Sequence, residues 1–217
     1  MDEVGKQMQR LDLTHTFTVR VGDQRTLYTL HRALAEQTSD YWTRNQAEFD
    51  LHGIPKAVFD VFFQWHLTGM NVIVLRSDEI PGLDNRRIRP RSSPNHRELM
   101  GIYSVALTLE DKAFQNAVMD RMIKTIMITR EAPGQEVLVQ VFTEKPNRCP
   151  MQRLVVRCWR KYLDEHKVDE QWDDWRDEFK KALAMEQNGT PDDAARWPSL
   201  RRRCEYHVHD ERASRGR

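Results

Sequence analysis

Three potential metal ligands lie close together near residue 205. Cys204, His207 and His209 place one thiol and two imidazoles within six residues, and thiolate and imidazole are the groups that zinc prefers in proteins. A structural zinc site almost always takes four ligands, and no second cysteine pair or nearby histidine supplies the fourth. We therefore expect no bound metal. These three residues remain the candidates for metal binding. The alternative is that they belong to a tail that docks or packs on the rest of the protein.

No residue pattern predicts a catalytic centre. His31 is the most distinctive single histidine, but no serine, cysteine or acidic residue lies near it at the spacing of a catalytic triad. The chain also has no glycine-rich phosphate loop, nucleophile motif or paired-carboxylate motif. We expect a protein that is not an enzyme, with no catalytic residues, no cofactor and no small-molecule substrate.

The charge pattern is informative in its distribution. The 34 basic and 33 acidic residues nearly cancel, which gives no general attraction to nucleic acid or acidic membranes. Arginines gather at residues 86–97 and 201–203, but no aromatic residues interleave with them as in single-strand binders. Nucleic acid is therefore not an expected partner. The alternative is a transcription-related, nucleic-acid-binding or zinc-binding regulator acting through the arginine-rich Cys/His tail.

Cellular location follows from what the chain lacks. No apolar run approaches the roughly 18 residues of a membrane span, so no membrane partner is expected. The N-terminus has no apolar signal core, and three scattered cysteines form no disulfide framework. These features predict a cytoplasmic or nuclear protein.

The first part of the chain predicts a small sheet around a buried helix. Apolar and polar residues alternate over 17–21, and 27–30 follows as an antiparallel return strand. We expect a short helix over 31–37 burying Leu34, a helical turn capped from Thr38–Asp40, and a third strand at 49–51. A helix opened by Pro55 carries apolar residues on most of its surface, which predicts a central core helix: Val58, Phe59, Phe62, Phe63, Trp65 and Leu67. An apolar strand is expected at 71–75.

The rest of the chain predicts helices separated by polar segments. Residues 77–97 are rich in Pro, Ser and Arg and predict a mobile basic loop. Two helices follow, with Asp111 capping the second. The domain is expected to span 15–132 after a flexible stretch at 1–14. A helical extension at 133–187 and a disordered arginine-rich tail at 188–217 complete the predicted organisation.

Three segments carry a family resemblance. Phe17–His31 continuing into Arg32-Ala33-Leu34, Pro55–Gly69 with its Trp65-His66-Leu67-Thr68-Gly69 ending, and Leu99–Asp120 occur in this order. Together they resemble the BTB/POZ domain of many small fungal proteins, over roughly residues 15–127. The resemblance implies an α+β fold, with a small, mostly antiparallel sheet flanked by a helix cluster. It also implies a non-catalytic protein–protein interaction module, dimerising with itself or another protein or acting as an adaptor.

The expected partners are other proteins, and self-association is an open alternative. Dimeric members of the family pair an acid before the first strand with a base such as Arg32, but His15-Thr16 stands at the acid's place. A cullin-type ubiquitin-ligase scaffold is a further partner of some family members, which dock it through an apolar-x-Glu segment after the second helix. Gln46-Ala47-Glu48 matches that segment poorly, so the sequence does not support this partner. The residues we expect at interaction surfaces are Arg32, Tyr41, Trp42, Trp172, Trp175 and Phe179. The last three belong to an amphipathic stripe, with Val168 and Leu183, expected to dock in cis.

Overall fold

The chain is an α+β protein, as the sequence predicts. A computed structural model describes residues 14–43, 48–68, 73, 94–144, 149–166, 177–187, 197–199, 201 and 205–208. Within these ranges the structure contains one three-stranded sheet and seven α-helices. One hydrophobic core runs from the sheet through the last helices.

The sheet is mixed, which corrects the prediction of a mostly antiparallel one. Strands β1 (Thr16–Val21) and β2 (Thr26–His31) form an antiparallel hairpin, and β3 (Glu48–Leu51) pairs parallel to β1 on its other side. The strand order is β2-β1-β3. A helix and a helical turn separate β2 from β3, so β3 can return in the same direction as β1, as a crossover connection allows. Alternation along β1 buries Phe17 and Val19, as predicted.

Ser39 holds the segment between the hairpin and β3 in place through hydrogen bonds. Helix α1 (Arg32–Thr38) precedes a 3₁₀ turn at Asp40–Thr43, and the Ser39 hydroxyl accepts a hydrogen bond from the Tyr41 N–H at 3.0 Å. Ser39 is one of the three residues expected to cap this turn. Leu34, expected to be buried, is only half-buried, because α1 turns the neighbouring Ala35 into the core instead.

Helix α2 (Lys56–Leu67) is the central helix of the core. Phe59, Phe62 and Trp65 are buried, and the Phe62 ring lies 5.1 Å from the Phe114 ring on a later helix. Such offset and edge contacts between aromatic rings add to the free energy gained from burial. Leu67 is the exception to the predicted stripe, since it lies in the last turn and is 63% exposed.

Helices α3 (Pro94–Thr108) and α4 (Lys112–Thr129) form an adjacent pair. Asp111 caps α4 as predicted, its Oδ1 accepting the Phe114 N–H at 2.8 Å. Helix α3 begins inside the segment expected to be a mobile loop, so the last four residues of 77–97 are helical. The remainder of that loop lies outside the described residues. So does the strand expected at 71–75, apart from Ile73, which is buried.

The helical extension packs against the domain in cis. Helix α5 (Gln135–Glu144) contacts α3, while α6 (Pro150–His166) and α7 (Asp177–Gln187) pack on α5 and on each other. On α7 the predicted stripe is buried at Phe179 and Leu183, with the Phe179 ring 5.5 Å from that of Phe142. This part of the stripe packs on α5 and α6 of the extension, and docking of the whole stripe in cis on the domain stays a prediction.

Helix α6 supplies a buried thiol to the extension. Cys158 has no exposed surface, and burial raises the pKa of its thiol above the ordinary value. A raised pKa keeps the thiol protonated and unreactive. In the described part of the chain, no helix is both long and apolar enough to cross a bilayer.

Candidate interaction surfaces

Arg32 is held by the domain itself. Its guanidinium donates to Glu36 Oε1 at 3.0 Å and to the Trp42 carbonyl at 3.3 Å, and it lies 5.0 Å from the centre of the Phe17 ring. The half-buried side chain therefore bridges α1, the 3₁₀ turn and β1. Its geometry is that of a structural residue with one partly accessible face.

Trp42 does not lie at a surface, which corrects its place among the interaction candidates. The side chain is fully buried, packed 5.2 Å from the Phe17 ring and 5.1 Å from the Phe49 ring. Tyr41, its neighbour, is half-buried and edge-on to Trp42 at 4.9 Å. The turn directs Trp42 inward, so the pair serves packing first and only Tyr41 retains some access.

Phe179 is likewise a core residue. It is 2% exposed and packs with Phe142 and Trp159 in the extension, so it contributes to an internal surface rather than to an external one. Trp172 and Trp175, the remaining aromatic candidates, lie outside the described residues.

A buried polar cluster was missed by the sequence analysis. Asp111 Oδ2 accepts a hydrogen bond from the Thr38 hydroxyl at 2.6 Å and lies 3.7 Å from His66 Nε2. The Ser39 hydroxyl, close by in the chain, donates to the Leu109 carbonyl. Ser39, His66 and Asp111 are all nearly inaccessible. Only the Asp111 cap was visible in the sequence, because the other contacts join residues far apart in the chain.

This cluster has the residue types of a triad without its geometry. A catalytic triad needs a serine hydrogen-bonded to the histidine and open to substrate. Here the Ser39 hydroxyl is used by a backbone carbonyl and the His66 side chain is 3% exposed. The hydrogen bonds connect α1 to the start of α4, with His66 of α2 packed beside them.

Part of the tail is docked on the helices, which corrects the expectation of a disordered 188–217. Tyr206 is 2% exposed, and burial raises the pKa of its phenol. The Arg157 guanidinium on α6 pairs with Glu205 and donates to the Tyr206 hydroxyl at 2.8 Å. Upstream, the Trp197 indole N–H donates to the Glu165 carboxylate at 3.0 Å. A buried tyrosine and paired polar groups explain why this polar segment is ordered.

The metal candidates are only partly visible. His207 Nε2 lies 2.8 Å from Asp120 Oδ1 on α4, so the histidine is engaged with a carboxylate. Cys204 and His209 lie outside the described residues. Among the described residues, no group of three or more His, Cys, Asp or Glu side chains could hold a metal ion.

Several large apolar side chains remain at the surface. Leu27 on β2 is 64% exposed, and Ile128 in the last turn of α4 is 73% exposed. Leu67 at the end of α2 is as exposed as Leu27, and Val139 on α5 is 42% exposed. The sequence places Leu27 at the start of a strand. Alternation along a strand assigns each residue to a face only once the register is known, so the exposure of Leu27 could not be predicted.

Comparisons with known proteins assign no family to this chain. No family model and no curated protein matches the sequence. Its function is therefore argued from the residues and contacts described above.

Proposed function

We propose that this chain is a non-catalytic protein–protein interaction module of the BTB/POZ type. The three sequence segments that resemble this family form consecutive parts of one folded unit. They build the β1–β2 hairpin leading into α1, the buried helix α2, and the α3–α4 pair. This order supports the proposal, since the resemblance requires the segments to lie in a single domain.

The exposure of large aliphatic side chains is the observation that carries the proposal. Leu27 and Ile128 are more than half exposed, whereas the His66–Asp111 pair is buried in the core and the His207–Asp120 pair is used to dock the tail. A partner that covered either side chain would remove its apolar surface from water, which is favourable. A chain built this way offers surface to a partner rather than a reactive group to a substrate.

The edge strand β2 is the element to test first. Leu27 and Thr29 both point away from the core on this strand, so Thr29→Glu is a matched control for Leu27→Glu. If the protein self-associates, light scattering on the full chain should give a mass above 25.8 kDa that rises with concentration. Leu27→Glu or Ile128→Glu should weaken association by about tenfold or more, as for loss of an apolar contact.

A second measurement covers partners other than a second copy. If the full chain stays monomeric, each of four proteins is crosslinked to its partners and the complexes are purified side by side. The four proteins are wild type, Leu27→Glu, Ile128→Glu and Thr29→Glu. We expect one protein recovered with wild type and Thr29→Glu but lost with at least one of the other variants. A monomer that recovers no variant-sensitive partner would overturn the proposed function.

A further inference from the structure

The side chain of Asn116 forms hydrogen bonds with the backbone of the tail. Its Nδ2 donates to the Val208 carbonyl at 3.0 Å, and its Oδ1 accepts the Val208 N–H at 2.7 Å. One amide side chain thus satisfies both polar groups of a single residue, as a neighbouring β-strand would. Both bonds are made by the backbone of Val208, so they do not depend on the valine side chain.

Charged residues near Asn116 contact the side chains of the tail residues that precede Val208. Asp120, one turn further along α4, contacts the His207 imidazole at 2.8 Å. From α6, Arg157 pairs with Glu205 and lies 5.6 Å from the centre of the Tyr206 ring. An acid therefore meets a guanidinium, a histidine meets a carboxylate, and a tyrosine fills a closed space.

We propose that Asn116, Asp120 and Arg157 form a recognition site for a short peptide segment that binds as a 3₁₀ turn followed by a bend, as residues 205–207 do. We call these three residues the tail site. Its ligand has an acidic residue, a tyrosine, a histidine and a residue with a free backbone N–H in sequence, the pattern of Glu205–Val208. The chain's own tail is the present occupant, and a partner segment of the same pattern takes its place.

One bound segment can replace another at the tail site because none of its hydrogen bonds is fully buried. Tyr206 is buried, but Glu205 is exposed and His207 and Val208 are half-buried. Each hydrogen bond at such a position contributes only about 0.5–1.5 kcal/mol net, because water replaces it when it opens. The tail therefore competes through its high local concentration, as a tethered ligand does.

This inference does not depend on the BTB/POZ proposal. It rests on contacts between α4, α6 and residues 205–208, whereas the proposed function is tested at Leu27 and Ile128. Failure of the peptide experiment would leave that function untouched, and the reverse also holds.

The test measures peptide binding to a full chain whose own tail is released. The probe is a fluorescein-labelled peptide covering residues 203–211 with serine in place of Cys204, followed by fluorescence anisotropy. Val208→Pro in the protein removes the N–H that Asn116 accepts. We expect this variant to bind the probe about tenfold or more tightly than wild type, since its own tail no longer competes.

Matched variants locate the binding. Adding Asn116→Ala to Val208→Pro should return affinity to the wild-type level, whereas adding Lys124→Ala, an exposed change on the same helix, should not. A probe carrying proline at 208 should bind neither protein. A gain in affinity that survives Asn116→Ala, or a folded Val208→Pro chain with no gain, overturns the proposal.

Hydrogen exchange on the wild-type chain covers the case in which Val208→Pro does not fold. Excess unlabelled peptide should speed amide exchange at Val208 of the protein while α2 amides stay protected, because the peptide displaces the tail. The proline-substituted peptide should have no effect. Unchanged exchange at Val208 under saturating peptide would show that the tail is a fixed part of the fold.

Discussion

His96 is a buried base without a hydrogen-bond partner in the described structure. It lies in the first turn of α3 with no exposed surface, and neither ring nitrogen is bonded within the described residues. Burial lowers the pKa of the imidazole to about 4. The folded protein therefore holds this histidine neutral at pH values where an unfolded chain would protonate it, near 6.5.

The first prediction follows from this difference. Because the unfolded state binds the proton and the folded state does not, stability should be full above pH 6.5 and decline as pH falls toward 4, by up to about 3 kcal/mol. Urea unfolding at pH 7, 5.5 and 4.5 measures the loss. His96→Leu should flatten this pH dependence, while His52→Leu, at a site largely open to water, should leave it in place. Equal slopes for wild type and His96→Leu would contradict the prediction.

At the scale of elements, one carboxylate connects two helices and lies beside a third. Asp111 caps α4 through the Phe114 N–H and also accepts from Thr38 at the end of α1, beside His66 of α2. A cap alone stabilises a helix by roughly 0.5–2 kcal/mol, and the hydrogen bond from the half-buried Thr38 hydroxyl to a carboxylate adds about 1.5–3 kcal/mol.

The second prediction concerns this junction. Asp111→Ala should lower the free energy of unfolding by about 2–4 kcal/mol, because it removes both the cap and the acceptor for Thr38. Asp111→Asn is the matched control: its amide oxygen can still cap α4, so its loss should be clearly smaller. Chemical denaturation of both variants at pH 7 provides the comparison. A loss for Asp111→Ala no larger than for Asp111→Asn would remove the capping role, and an Asp111→Asn chain as stable as wild type would remove the role of the Thr38 bond.

The elements with strong local signals were predictable from the sequence. Alternation identified β1, and Asp111 before an apolar helix identified the start of α4, since both signals act between near neighbours in the chain. The parallel pairing of β3, the inward turn of Trp42 and the docking of Tyr206 were not predictable. Each depends on contacts between distant residues, such as Asn116 with Val208, which local periodicity does not encode.

For the whole molecule, the domain and its extension share a core. Helix α5 contacts α3, and α7 closes over α5 and α6 through Phe179 and Leu183. Arg97 and Glu136 form an ion pair across the same junction, and Gln140 donates to the Ser104 hydroxyl at 3.4 Å. The extension is therefore an integral part of the fold rather than a separate appendage.

The third prediction tests that integration. Phe179→Asp should place a charge in the closed space beside Phe142 and Trp159, lower the thermal midpoint and promote aggregation, because α5 and α6 would expose apolar surface. Lys181→Asp, an exposed site on the same helix, should do neither. Light scattering during a thermal ramp follows both effects. A folded, stable Phe179→Asp chain with no new association would mean that α7 is dispensable.

The buried thiol of Cys158 makes the opening of the extension measurable as a chemical rate. With the side chain sealed on α6 and its pKa raised, a thiol reagent attacks only molecules in which α6 has separated from its neighbours. In a Cys204→Ser background, mass spectrometry after timed alkylation would separate Cys149 from Cys158 by peptide. The two rates would report how often the start and the middle of α6 open in native buffer, with no denaturant.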